Sequence, residues 1–293
     1  MKKTKIIIPA LGMLLLSTAA SVTGTVAWFS MNNFVNATQM KVTAKAENGI
    51  VISNQAAAST TVGVWSETAT AAYTSALEVY PTSTADASAW YHSKSTDANQ
   101  ANTNQPYETL TIATDGVSGP GYVENGSNTQ FDAGTDDAYF LKNTFYIKSS
   151  AASAITGATL YINSVSASLP DNQASANSED LNKALRVLIK VAGTEAADYQ
   201  TAKVFAPIQG ASTEYGVYNG TATKTTVTPN AYNAANVSFL TNQTIPASTG
   251  TPLAVEIYVY YEGEDANCKS ANLTATLDQL EVAVQFGTIQ AQP

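Results

Sequence analysis

Hydrophobic residues recur at every second position along much of this chain, and that period restricts its fold more than any other feature. Val255, Ile257, Val259 and Tyr261 alternate with Glu256, Tyr258 and Tyr260. Leu280, Val282, Val284 and Phe286 alternate with Glu281, Ala283 and Gln285. Leu141, Phe145 and Ile147 share one face, and Lys142, Thr144 and Lys148 share the other. Leu185, Val187, Ile189 and Val191 alternate with Arg186 and Lys190. Leu160 and Ile162 open a further run that continues unevenly through Val165. Residues 40–46 and 50–53 read as two strands joined at Asn48-Gly49, a favourable hairpin turn. One stretch, Asn177-Ser178-Glu179-Asp180-Leu181, reads as the start of a short helix, with a capping side chain before acidic first-turn residues. Many strands without βαβ alternation predict an all-β chain, a jelly-roll-like antiparallel β-sandwich.

Two stretches break the pattern. Residues 54–135 are rich in Ala, Ser, Thr, Asn and Gly, with short strand candidates at 62–66 and 76–80 and turn signals at Asp115-Gly116 and Asn125-Gly126. Large apolar residues are too sparse there for a separate core, so the stretch reads as a loop-rich insertion on the sandwich. Residues 208–250 read as a second one.

The N-terminus reads as an export signal. Lys2, Lys3 and Lys5 precede an apolar run from Ile6 to Ala20, and small residues follow up to Ala27. The run is shorter than the ~20 strongly apolar residues that span a bilayer. Cleavage after Ala27 is expected, with retention as an N-terminal anchor the alternative. It divides the chain into a signal peptide at 1–27, an arm at 28–38 and a sandwich at 39–293. A type IV pilin would carry its long apolar helix after the cut, starting near a Glu. Here the apolar run comes first, and the first Glu is Glu47.

Composition removes most other function classes. Charged residues are 13%, about half the usual share, and the net charge of −9 becomes −12 once the three leader lysines are gone. Arg186 is the only arginine, which argues against nucleic acid as a partner. One Cys, Cys268, excludes an intramolecular disulfide and a multi-cysteine zinc site. One His, His92, excludes two-histidine metal sites. No Gly-x-Ser-x-Gly elbow accompanies it, so it reads as a loop histidine and no catalytic residue is assigned.

Other candidates carry weaker chemistry. Asp132, Asp136 and Asp137 cluster before the Tyr139 strand, and Glu262, Glu264 and Asp265 after the Tyr261 strand. Both groups read as solvated turn acids; no cofactor is expected, and Ca²⁺ is the one ion their oxygens would suit. Cys268 reads as a packed free thiol, with a bridge between two chains as the alternative. Asn-x-Ser/Thr occurs at Asn36, Asn125, Asn219, Asn236, Asn242 and Asn272, several of them by chance in so Asn-rich a chain. Trp65, Trp90 and nearby tyrosines would make a glycan-binding platform if they lay on one exposed face.

The segment Gly24-Thr25-Val26-Ala27-Trp28-Phe29-Ser30, a polar spacer, then Ala37-Thr38-Gln39-Met40-Lys41-Val42 resembles the start of the TasA and camelysin family of secreted Firmicute fibre proteins. Their shared pattern is a Gly-Thr-x-Ala cut site, an aromatic just inside the mature chain, and a first strand. Further on the likeness is one of layout. Residues 139–150 and 158–166 resemble the family's paired strands, and 254–263 with 280–287 its closing strand pair. The protease label attached to camelysin is not carried over, because the chain has no His-Glu-x-x-His.

The resemblance implies polymerisation by donor-strand exchange, in which the mature N-terminal arm of one subunit completes a sheet of the next. The residues give this a physical basis. Trp28, Phe29, Met31, Phe34 and Val35 lie within eight positions, and each large apolar side chain gains ~1.5–3 kcal/mol on burial. Head-to-tail contacts of this kind build open filaments. The expectation is a secreted, non-enzymatic subunit of an extracellular or biofilm-matrix fibre, with identical subunits and an accessory or anchoring subunit as partners. The alternative is that the arm folds back as a strand of its own monomer, giving a monomeric or membrane-tethered adhesin or glycan-binding module.

Overall fold

The computed structural model describes residues 35–38, 40–55, 65–72, 77–93, 107–109, 121–124, 137–168, 182–192, 202–207, 215–218, 224–232, 234–263, 265, 268, 276–278 and 280–290. The described chain is all-β and forms two facing sheets. The smaller sheet runs β16 (Val237–Ile245), β10 (Ile155–Ser168), β19 (Glu281–Gln290), β2 (Lys41–Ala46), β4 (Thr68–Ala72). The larger runs β15 (Asn230–Ala231), β12 (Lys203–Ala206), β11 (Leu185–Val191), β17 (Leu253–Tyr261), β9 (Asp137–Ser149), β5 (Leu77–Val79), β1 (Val35–Thr38), β18 (Thr276–Asp278). β3 (Ile50–Ser53) and β8 (Gly121–Glu124) also pair with β9. Two further two-stranded antiparallel sheets pair β6 (Tyr91–Ser93) with β7 (Tyr107–Thr109) and β13 (Tyr215–Tyr218) with β14 (Lys224–Val227).

The alternating residues fill the space between the sheets. Val42, Ala44, Leu160, Ile162, Val282, Val284 and Phe286 come from the smaller sheet. Leu141, Phe145, Ile147, Val187, Ile189, Val255, Ile257 and Val259 come from the larger. The uneven run after Ile162 is a register shift between Ile162 and Ser164, a bulge that restores Val165 to the core side. Across from it Gly287 pairs with Tyr161, and a Cβ there would lie 2.5 Å from Asn163 Nδ2.

Several expectations of pairing are corrected. The sheets are mixed rather than antiparallel: β2–β19, β1–β18, β5–β9, β8–β9 and β12–β15 are parallel pairs. β2 and β19, among the earliest and latest strands of the chain, lie side by side. Asn48-Gly49 does not close a hairpin. Asn48 (φ 58°) and Gly49 (φ 83°) take the left-handed turn that the pair favours, but β2 stays in the smaller sheet while β3 joins β9 in the larger. The turn is a corner between layers, tied by Glu47 N–H to Phe286 O (3.0 Å) and Ser150 N–H to Gly49 O (2.9 Å). In the same way β9 and β10, and β17 and β19, lie in opposite sheets and are not strand pairs. In each case the inward side chains of both strands join one core cluster between the sheets.

The two polar stretches contribute to the sandwich itself. Residues 54–135 supply β4, β5 and β8, and residues 208–250 supply β15 and β16, whose Phe239, Leu240 and Ile245 are core. Of the expected helix, Asn182 and Lys183 take helical backbone and Ala184 a turn ahead of β11; residues 177–181 lie outside the described residues.

The larger sheet is covered on its outer face as well. Residues 81–91 lie across it, and Trp90 stacks on Phe140 (4.0 Å between centroids) and meets Tyr260 edge-on (5.1 Å). Leu188, Val204 and Tyr258 complete this second apolar cluster. β11 and β17 are therefore buried on both sides.

Candidate assembly site

Of the five arm residues singled out, Val35 lies among the described residues, and Trp28, Phe29, Met31, Phe34 and the Ala27 cleavage position lie outside them. Val35 opens β1, which occupies a slot in the larger sheet. On one side it pairs antiparallel with β5, through Val35–Val79, Asn36–Glu78 and Ala37–Leu77. On the other it pairs parallel with β18, through Asn36–Thr276, Ala37–Leu277 and Thr38–Asp278. Within two residues the chain crosses to the other layer: Met40 is buried in the core, and Lys41 N–H bonds to Leu280 O at 3.0 Å. The end of the arm thus completes a sheet of its own chain and is tethered at once to the centre of the opposite one.

The acid groups separate. Asp132, Asp136 and Glu264 lie outside the described residues, and Asp137 begins β9, its backbone paired with Glu78. Glu262 and Asp265 are buried, not solvated. Arg186 Nη2 meets Asp265 Oδ2 at 2.6 Å, and Arg186 Nη1 donates to the carbonyls of Lys183 (2.8 Å) and Leu185 (3.1 Å). The alternation of β11 predicts a polar face for Arg186, and here the structure differs: Arg186 is 1% exposed, because β11 has no wet face. The sequence signal for this pair is a lone arginine inside an apolar strand. Among the described residues no three His, Cys, Asp or Glu side chains are grouped to hold a metal.

Cys268 is buried as a free thiol at the edge of this ion pair. Burial, and then the Glu262 and Asp265 carboxylates, push its pKa well above the ordinary value. Burial likewise raises Tyr261, with Cys268 and Tyr232 adding to the shift. These groups hold the end of β17 against the chain entering β11 and offer no exposed nucleophile.

The aromatic platform is corrected too. Trp90 is 4% exposed and belongs to the second apolar cluster, whereas Trp65 is partly exposed with Lys148 Nζ 3.9 Å over its ring. The two do not share an exposed face. His92 lies in β6, its backbone paired with Glu108. Asn36 is within β1; Asn236 (φ 56°) and Asn242 (φ 53°) are exposed. Asn125, Asn219 and Asn272 lie outside the described residues. Among the described residues no helix is long and apolar enough to cross a membrane.

No protein-family model, curated protein or solved structure matches this chain.

Proposed function

We propose that the chain is an exported structural subunit of an extracellular filament or matrix fibre, which polymerises head to tail by exchange of its N-terminal arm. The observation that carries this reading is the seat of β1. The larger sheet accepts the last residues of the arm as a strand held on both sides, between β5 and β18. Placed in the equivalent slot of a neighbour, the same residues would make the same backbone pairs between copies, and residues 28–34 would carry their aromatics onto that neighbour. An 11-residue arm, fully extended, reaches roughly 36 Å, enough to bridge adjacent small domains. The export-signal pattern, the low charge and the TasA-like start support the same reading.

Negative-stain electron microscopy of the chain beginning at Trp28, beside one beginning at Thr38, tests it. Filaments from the first and none from the second are expected. Monomers from both would refute self-sufficient assembly.

A further inference from the structure

The corner between β2 and β3, the connection from β9 to β10, and β19 together line a cleft of about 440 Å³. That volume lies within the ~300–1,000 Å³ of small-molecule sites. Asn48, Ser149, Ser150, Ser153, Ile155 and Thr288 are among the residues that line it, and none of its described lining residues is charged. Lys148, next in sequence to Ser149, is engaged by Ser248 O (2.7 Å) and by the Trp65 ring (3.9 Å).

The walls are held in place before any ligand arrives. Ser149 N–H bonds to Pro246 O (2.7 Å), Ser150 N–H to Gly49 O (2.9 Å) and Ser248 N–H to Ala151 O (2.9 Å). Asn48 sits in the left-handed turn at φ 58°. Such preorganisation lowers the ordering cost of binding.

The lining hydroxyls keep hydrogen-bonding capacity, since each has one proton and two lone pairs. Ser150 Oγ–H donates to Gly49 O (3.0 Å) and Thr288 Oγ1–H to Asn48 O (3.0 Å), so both oxygens still accept. Ser149 Oγ accepts from Ala151 N–H (3.1 Å), so its own proton remains to be donated. Ser153 and Asn48, both exposed, each offer a donor and an acceptor. Carboxylate or phosphate ligands call for a cationic partner, and a metal calls for anionic or imidazole ligands; none is among the described lining residues. A sugar matches the lining instead. Each of its hydroxyls both donates and accepts, and Ile155 supplies an apolar contact for the C–H face of a ring.

We propose that this corner cleft binds a neutral saccharide of mono- to disaccharide size, through hydroxyl and amide hydrogen bonds rather than an aromatic platform. A few neutral hydrogen bonds set a weak affinity, on the order of 1 mM. No arm residue is among those that line the cleft, so the proposal does not depend on the assembly reading.

Saturation-transfer difference NMR of the chain beginning at Trp28, titrated with maltose, cellobiose and N,N′-diacetylchitobiose, tests it. Saturable transfer to at least one of these sugars is expected. Ser153→Tyr, at an exposed position, should fill the cleft and weaken binding about tenfold. Asn48→Gly removes the amide, keeps the left-handed turn accessible and should weaken binding by a smaller factor. Asn242→Gly, at an exposed left-handed Asn outside the cleft, should leave binding unchanged. An unaltered melting temperature of Ser153→Tyr separates lost binding from lost fold, and Asn48→Gly carries the test if Ser153→Tyr does not fold. No saturable transfer from wild type to any of the sugars overturns the proposal. So does transfer that survives both Ser153→Tyr and Asn48→Gly, or that falls equally in Asn242→Gly.

Discussion

Arg186 and Asp265 exemplify how single residues hold this fold. Removing one partner of a buried ion pair leaves the other charge uncompensated, a loss of about 3–5 kcal/mol. Arg186→Met should therefore lower stability by that order in urea unfolding, and Asp265→Asn by a similar amount. Cys268 and Tyr261 set the alkaline limit. Their folded pKa values are raised, so the stability they contribute is complete below the unfolded values, about 8.5 for Cys and 10 for Tyr, and is lost as pH rises beyond them. The melting temperature should begin to fall above about pH 8.5, and Cys268→Ala should move that onset toward pH 10. Gly49 at φ 83° has open space where a Cβ would stand, so Gly49→Ala tests backbone strain alone, at a cost of about 1–2 kcal/mol.

At the scale of elements, β1 and the 81–91 segment are the two pieces whose role depends on docking. A chain beginning at Thr38 lacks most of β1 and leaves β5 and β18 without the strand between them. Such a chain should melt lower than the chain beginning at Trp28. A synthetic peptide of residues 28–37 should restore the difference, gaining about 2.7 kcal/mol at a hundredfold excess over its dissociation constant. A peptide without effect on the melting temperature would mean that the slot does not take the strand in trans. The 81–91 segment depends on Trp90 instead. Trp90→Ala should cost about 3–5 kcal/mol and uncover Leu188, Tyr258 and Tyr260. The 81–91 segment comes from a stretch in which alternation is weak and β1 is only four residues long, which is why the sequence marks them only faintly.

For the whole molecule, charge and connectivity decide behaviour. On the proposed reading, subunits that have lost the leader would carry a net charge of −12 and repel one another, with the repulsion screened over about 8 Å at physiological ionic strength. Filament growth followed by light scattering should speed up between low salt and 0.15 M. Growth that slows with added salt would mean that attractive charge pairs, not apolar strands, hold the subunits together.

The inward faces of the long strands are readable directly, because a period of two marks which residues leave water whatever the strand pairs with. Val255–Val259 and Val282–Phe286 are core for that reason, and even the bulge near Val165 shows as a break in rhythm. Which strands are neighbours is not readable. Alternation records a buried face and carries no information on the partner across the sheet edge, so Asn48-Gly49 has the same local chemistry at a corner as in a hairpin. The burial of Arg186 was likewise decided by tertiary structure alone, because it depends on a segment remote in sequence covering a face that the strand's own pattern presents as polar.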